Sequence, residues 1–405
     1  MDTSTLPTPT NLPESTAPSR APRIESVDLL RGLVMVIMAL DHVRHFFHEG
    51  ALHRVNPLDL AQTSEALFFT RWITHFCAPI FSFLAGTAVF LAAQRGKSKG
   101  ELAWFLFTRG LWLVFLDLTL LGWFGWRFSI DVKSYNFSTL WALGGAMIAL
   151  SALIRLPVWA VTTIGLVLIG GHNAFDGVKP ESLGSFSWLW SFLHVTGQIK
   201  TSWGISMRIG YPVLPWIGVM AAGYGMGVIY KWDAAARQRW LIRVGCGMIV
   251  GFVALRLANV YGNLTPWATQ SRPTLTVMSF LDCTKYPPSL CFVLMTIGPG
   301  LIALALLERP WSKRLQPLLV YGQVPFFYYI IHIPLIHALA MVACQICFGT
   351  SAFLIGRGVT APPDVGFGLP VVYAVWISVV VALYPACRWF AALKRRHRAA
   401  WMSYF

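Results

Sequence analysis

Apolar runs of about 20 residues, separated by short basic or Pro- and Gly-containing stretches, recur along almost the whole chain. That is the length at which a helix crosses the hydrocarbon core of a bilayer. Ten segments are predicted to do so, near 28–47, 70–94, 102–123, 137–154, 157–173, 211–230, 240–259, 287–307, 317–345 and 368–387. Only Arg155 to Pro157 separates the fourth from the fifth, which predicts a tight helix–helix hairpin. The run at 185–196 is too short to cross and reads as interfacial or re-entrant, with its Trp residues at headgroup depth. Residues 1–25 are rich in Pro, Ser and Thr and hold no apolar h-region, so they read as a disordered tail rather than a signal peptide. Residues 26–390 then form one transmembrane domain, and 391–405 a basic tail. The expected fold class is all-α: a polytopic bundle of about ten transmembrane helices.

Composition agrees with that pattern. The chain is 56% hydrophobic and 12% charged, outside the range of ordinary soluble domains. Its net charge of +15 would suggest nucleic acid in a soluble protein. Here the position of the Lys and Arg residues explains it better, and no nucleic acid partner is expected. With the N-terminus placed in the cytoplasm, eighteen basic residues fall in cytoplasmic pieces and nine in the longer outer loops, in unbroken alternation. This predicts an inner-membrane protein with both termini cytoplasmic. The seven cysteines lie mostly in apolar runs, and the pair Cys344 and Cys347 reads as packing rather than a redox or metal site. No metal is expected.

The first segment, SVDLLRGLVMVIMALDHVRHFFH, carries the most informative polar residues. Ionisable groups inside a span cost several kcal/mol unless they face protein or water, so they mark function by default. Arg31 and His42 are separated by ten residues, about 16 Å of helix rise. His42 lies roughly 21 Å from the cytoplasmic end, in the outer third of the bilayer. His75, Asp117, Arg256 and His332 project to a similar depth on other segments, within about 5 Å. Lys285 and Tyr286 enter at the outer end of the eighth segment, in DCTKYPPSL, while Arg31 and Arg109 sit in the cytoplasmic half. A polar layer below the outer surface and a basic inner mouth follow. Structural readings compete at several positions. His45 and His337 suit the membrane interface, Asp28 and Arg31 suit an i,i+3 ion pair, and Asp117 and Arg256 could neutralise each other. Gly223 and Gly227 fit close helix packing, and Pro325 and Pro334 would free backbone carbonyls around His332.

These stretches resemble a family. SVDLLRGLVMVIMALDH, APIFSFLAG, LPWIGVMAAGYGMG, TKYPPSL and YYIIHIPLIH together look like bacterial integral-membrane proteins grouped with the heparan-α-glucosaminide N-acetyltransferase catalytic domain. The Arg31–His42 spacing is also similar to a signature of membrane acyltransferases that O-acylate surface sugars. The resemblance implies a transmembrane acyltransferase-like bundle, acyl-CoA (acetyl-CoA foremost) as donor, and a glycan or amine acceptor. It implies His42 as base and Arg31 as a donor-positioning group. The lysosomal members place a histidine just after the first helix, where His48 and His53 stand here without the surrounding motif. The base therefore stays open between His42 and another histidine. The full expected site comprises His42, His332 and Asp41 as catalytic residues. Arg31, His75, Arg109, Asp117, Arg256, Lys285 and Tyr286 are the expected substrate-binding residues, with Lys285 or His332 at an oxyanion. A homodimer is compatible with all of this, and a proton-coupled transporter is the alternative function.

Overall fold

The computed structural model describes residues 24–309, 313–356, 358–397 and 400–404. Most of the expected N-terminal tail, with Arg20 and Arg23, lies outside the described residues, as do Arg357 and Arg398. The chain is mostly helical. Eleven helices carry the fold: α1 (Glu25–Phe47), α2 (Glu65–Ala93), α3 (Lys99–Gly125), α4 (Thr139–Leu153), α5 (Val158–Phe175), α6 (Leu214–Met226), α7 (Ala234–Ala258), α8 (Leu290–Leu307), α9 (Gln316–Gln323), α10 (Pro325–Phe348) and α11 (Leu369–Arg396). Among the described residues, seven are long and apolar enough to cross a membrane: α2, α3, α5, α7, α8, α10 and α11. The expected all-α bundle is found, with seven candidate spans against the expected count of about ten. Each predicted segment is helical, but α4 and α6 are only 15 and 13 residues long. α1 has the length, and is charged at both ends by Glu25, Asp28, Arg31, Asp41 and Arg44.

α1 is central. Fifteen of its 23 residues are buried, and it packs on α2, α8, α9, α10 and α11. By contrast, α7 and α11 present Val250, Ile377 and Val381 outward, an apolar rim suited to lipid. The crossing of α1 and α9 is made by glycine. A Cβ on Gly32 would sit 1.8 Å from the Leu318 carbonyl oxygen, and one on Gly322 1.7 Å from that of Asp28. The two backbones therefore touch at the height of Asp28 and Arg31. Gly223 of α6 does the same against the Phe83 carbonyl of α2, at 2.0 Å, so its small-residue spacing serves packing.

Helix α3 ends in a nine-residue π-helical stretch, Asp117–Gly125, and the single expected segment 317–345 is split at Val324 into α9 and α10. Pro325 has no N–H to extend α9, so α10 starts afresh there. On one side of the bundle, a small sheet joins β1 (Ser134–Phe137), β2 (Gly197–Lys200) and β3 (Ser206–Ile209) in the order β1-β3-β2. β3 runs parallel to β1, with Ser134 opposite Ser206, and antiparallel to β2. It fixes the approach to Tyr211, two residues past its end. The run at 185–196 forms only a short helix, Ser187–Leu193.

Candidate functional site

The last two turns of α1 split their polar residues between two faces. Asp41 faces α2: its Oδ2 accepts from Arg71 Nη1 at 2.6 Å and its Oδ1 from Arg44 Nη2 at 2.9 Å. One carboxylate between two guanidiniums leaves a positive charge in a buried place. Arg71 carries that charge onward, with Nη2 3.4 Å from the Tyr286 hydroxyl, which lies 3.2 Å from the Tyr211 hydroxyl. Lys285 is buried alongside, its Nζ 5.4 Å above the Tyr286 ring. Burial by itself would push the Tyr286 phenol up. The Lys285 ammonium and the Arg71 guanidinium outweigh it and bring the phenol below its ordinary value.

His42 occupies the other face. Its Nδ1 lies 2.7 Å from His332 Nε2, and His332 Nδ1 lies 2.8 Å from the Tyr328 carbonyl. A carbonyl only accepts, so His332 Nδ1 donates to it and, in the neutral ring, its Nε2 must accept. His42 Nδ1–H is then the donor, which leaves the lone pair on His42 Nε2. Trp126 and Tyr329 stand edge-on to the His42 ring, at 5.2 and 6.1 Å between centroids.

Cavities adjoin aromatic residues that pack against this pair. One is lined by Arg31 and Arg109, and shares Phe81, Leu143 and Phe326 with a narrower one. The narrow cavity ends among Ser82, Tyr211, Trp216 and Tyr329. A third is lined by His45, His53, Arg54 and Trp126. The indole N–H groups of Trp126 and Trp216 are buried and without a hydrogen-bond partner among the described residues. Tyr329, which lines the narrow cavity, and Trp126, which lines the third, both pack edge-on against His42.

The structure brings together most, though not all, of the residues singled out from the sequence. His42, His332, Asp41, Lys285 and Tyr286 converge, and Arg31 and Arg109 line one cavity. His75 is fully buried on α2 against Phe292, 5.3 Å between ring centroids, with neither ring nitrogen partnered among the described residues. Two readings are corrected. Asp117 and Arg256 do not pair. Asp117 accepts from the Ser138 hydroxyl at 2.6 Å and from the N–H groups of Ser138 and Trp141 at 2.8 and 3.1 Å, satisfying the start of α4. Arg256 donates to the carbonyls of Thr265, Ser279, Phe280 and Asp282, tying a loop to α7. The expected polar layer is therefore several separate knots. Nor is His337 interfacial, because it is buried between the carbonyls of Gly125 and Leu354, 2.9 Å from each. Asp28 and Arg31 do lie 3.7 Å apart, and Arg31 also donates to the Leu84 carbonyl.

Residues missed as site members are Arg44, Arg71, Tyr211, Tyr329 and Trp126. Arg44 and Arg71 were visible as basic residues within spans. Nothing local marks the other three, which reach the site through tertiary packing.

The chain is a multi-pass membrane bundle with a buried, hydrogen-bonded histidine pair inside it. Residues 23–267 match the heparan-alpha-glucosaminide N-acetyltransferase catalytic family, and the chain belongs to that family. Membership indicates a transmembrane acetyltransferase-like function. The matched stretch includes Asp41, His42, Arg71 and Arg109 and stops before Lys285, Tyr286 and His332. No curated protein matches the chain.

Proposed function

We propose that this protein transfers an acyl group, acetyl foremost, from cytoplasmic acyl-CoA to a sugar or glycan acceptor on the opposite side of the inner membrane. In this reading residues 26–390 are the catalytic domain, and both termini are cytoplasmic. The single observation that carries it is that His42 packs against Tyr329, which lines the narrow cavity, and against Trp126, which lines the third. The basic cavity at Arg31 and Arg109 suits the phosphates of the donor, whose oxygens take charge-assisted hydrogen bonds from guanidinium. The slender apolar passage past Phe81, Leu143 and Phe326 suits the pantetheine arm. The thioester then lies by Tyr211 and Tyr329, and the acceptor arrives through the cavity lined by His45 and Trp126.

His42 Nε2 takes the proton as the acceptor oxygen or nitrogen attacks the thioester carbonyl. The C–S bond breaks, and the CoA thiolate leaves toward the basic cavity. His332 acts as a positioning residue: its Nε2 holds the His42 Nδ1–H and so fixes which nitrogen is free. With both its nitrogens engaged, His332 offers no N–H to an oxyanion. That role falls to Lys285 or to the Tyr211 hydroxyl, which Tyr286 links to Arg71. Asp41 is the counter-ion that makes Arg44 and Arg71 tolerable inside the bundle.

The test is transfer of label from acetyl-CoA to soluble amino sugars by purified protein in proteoliposomes, with the donor inside and the acceptor outside. Label on the acceptor supports the reading. Solute uptake in the absence of any acyl donor would replace it with a transporter.

A further inference from the structure

Away from His42, a second cluster of titratable side chains gathers at the end of α5. His172 and Asp176 stand four residues apart there, and His194 returns to meet them from the end of the short helix Ser187–Leu193. One ligand-type atom from each lies within 4.8 Å of the others. His194 Nε2 is 3.3 Å from His172 Nδ1 and 3.7 Å from Asp176 Oδ1; it also donates to the His172 carbonyl at 2.9 Å, so its hydrogen must move to the unpartnered Nδ1 for Nε2 to take a metal. Two ligands of a tetrahedral zinc ion, at bonds of about 2.0–2.1 Å, stand about 3.3 Å apart. Both imidazoles are almost completely buried, at 2% and 1% exposure, and His194 Nδ1 has no partner among the described residues.

The groups behind these atoms are also arranged as outer partners of a metal site. His172 Nε2–H donates to the Pro288 carbonyl at 3.0 Å, which turns the lone pair of Nδ1 toward His194. Asn173 donates to the far oxygen of the carboxylate, Asp176 Oδ2, at 2.9 Å, and its own Oδ1 accepts from the Leu290 N–H at 2.9 Å. Both supports thus end on residues 288–290, immediately after Lys285 and Tyr286.

We propose that His172, Asp176 and His194 form a binding site for a divalent first-row transition metal of the zinc type, which braces the loop carrying Lys285 and Tyr286. Two imidazoles and one carboxylate are a borderline donor set that zinc accepts, with a fourth position left for water. Metal binding stands on its own geometry. The consequence for Tyr286 rests on the acyltransfer reading.

Tag-free, full-length protein in detergent, stripped with chelator and titrated with ZnCl2, provides the test. One zinc per chain is expected by metal analysis and calorimetry. His194→Gln and Asp176→Asn should each weaken binding at least tenfold, and Asn173→Ala, which removes an outer partner, by roughly 10–100-fold. Hydrogen exchange across 284–290 should slow when zinc is added to the parent protein and stay unchanged in Asp176→Asn. Asp176 is partly exposed, so that variant tests the site without opening a cavity. No zinc uptake, or uptake equal in parent and variants, overturns the proposal. Zinc uptake by a protein that transfers no acyl group leaves this site standing and removes the proposed reaction.

Discussion

His42 and His332 are 290 residues apart in sequence, yet their rings stack with centroids 4.9 Å apart and share a 2.7 Å hydrogen bond. The Tyr328 carbonyl fixes the tautomer of His332, and His332 in turn fixes that of His42. The pair therefore acts as a unit, and its members should not contribute independently.

His42→Ala is expected to lower kcat by roughly 10²–10⁴-fold, the usual contribution of a general base. His332→Ala should lower it less, because His42 keeps its nitrogen but loses the partner that aims it. The double variant should be no worse than His42→Ala, since residues acting as a unit are not additive. Steady-state rates for the three variants check this. A double variant whose loss equals the product of the two singles would show that the histidines work separately.

Arg31→Ala and Arg109→Ala are expected to raise the KM for acetyl-CoA by roughly 10–100-fold, as loss of a charged hydrogen bond costs about 1.5–3 kcal/mol. With S-acetylcysteamine, which lacks the nucleotide phosphates, the same variants should match the parent. KM measured with both donors separates phosphate binding from general damage. Equal losses with the two donors would relocate the phosphate site.

Asp117→Ala should cost stability rather than catalysis. It leaves the Ser138 and Trp141 N–H groups at the start of α4 without their acceptor, a penalty of about 1–3 kcal/mol each where buried. Thermal unfolding in detergent should shift downward, while the folded fraction keeps its KM for donor and acceptor. A changed KM would return Asp117 to the substrate site.

Gly32→Ala should destabilise the bundle by about 1–3 kcal/mol or more, the usual scale of overpacking. The new methyl would fall on the Leu318 carbonyl, and backbone cannot rotate away as a side chain can. The expected readout is a lower unfolding midpoint than Gly170→Ala, whose Cβ meets nothing within 4 Å.

Much of this architecture was legible along the chain because a bilayer demands long apolar runs, and such runs are visible without knowing their neighbours. The segment boundaries for α1 and α8 follow from that alone, while the break at Val324 that starts α10 does not. The charges that Asp41 and Arg31 place inside a span also announced themselves, since hydrocarbon penalises them. Partner choice was not legible. Asp117 and Arg256 looked complementary in sign and depth, yet each found nearer backbone groups, the helix start at Ser138 and the four carbonyls between Thr265 and Asp282. Backbone donors and acceptors are everywhere, and sequence gives no clue to which will lie within 3 Å. Tyr211 and Trp126 escaped notice for a related reason: aromatic residues are common in spans, and only packing reveals which ones border a cavity.

The touch of Gly32 on α9 bears on how the molecule can move. Arg31 and His42 ride on one unbroken helix, clamped near the first of them by backbone lying directly on backbone. Such a rod can neither slide nor swing without tearing that seam, so the span between the two side chains is a fixed gauge. Any opening that admits a molecule must come from the surrounding helices, which leaves α1 as the stator of the machine.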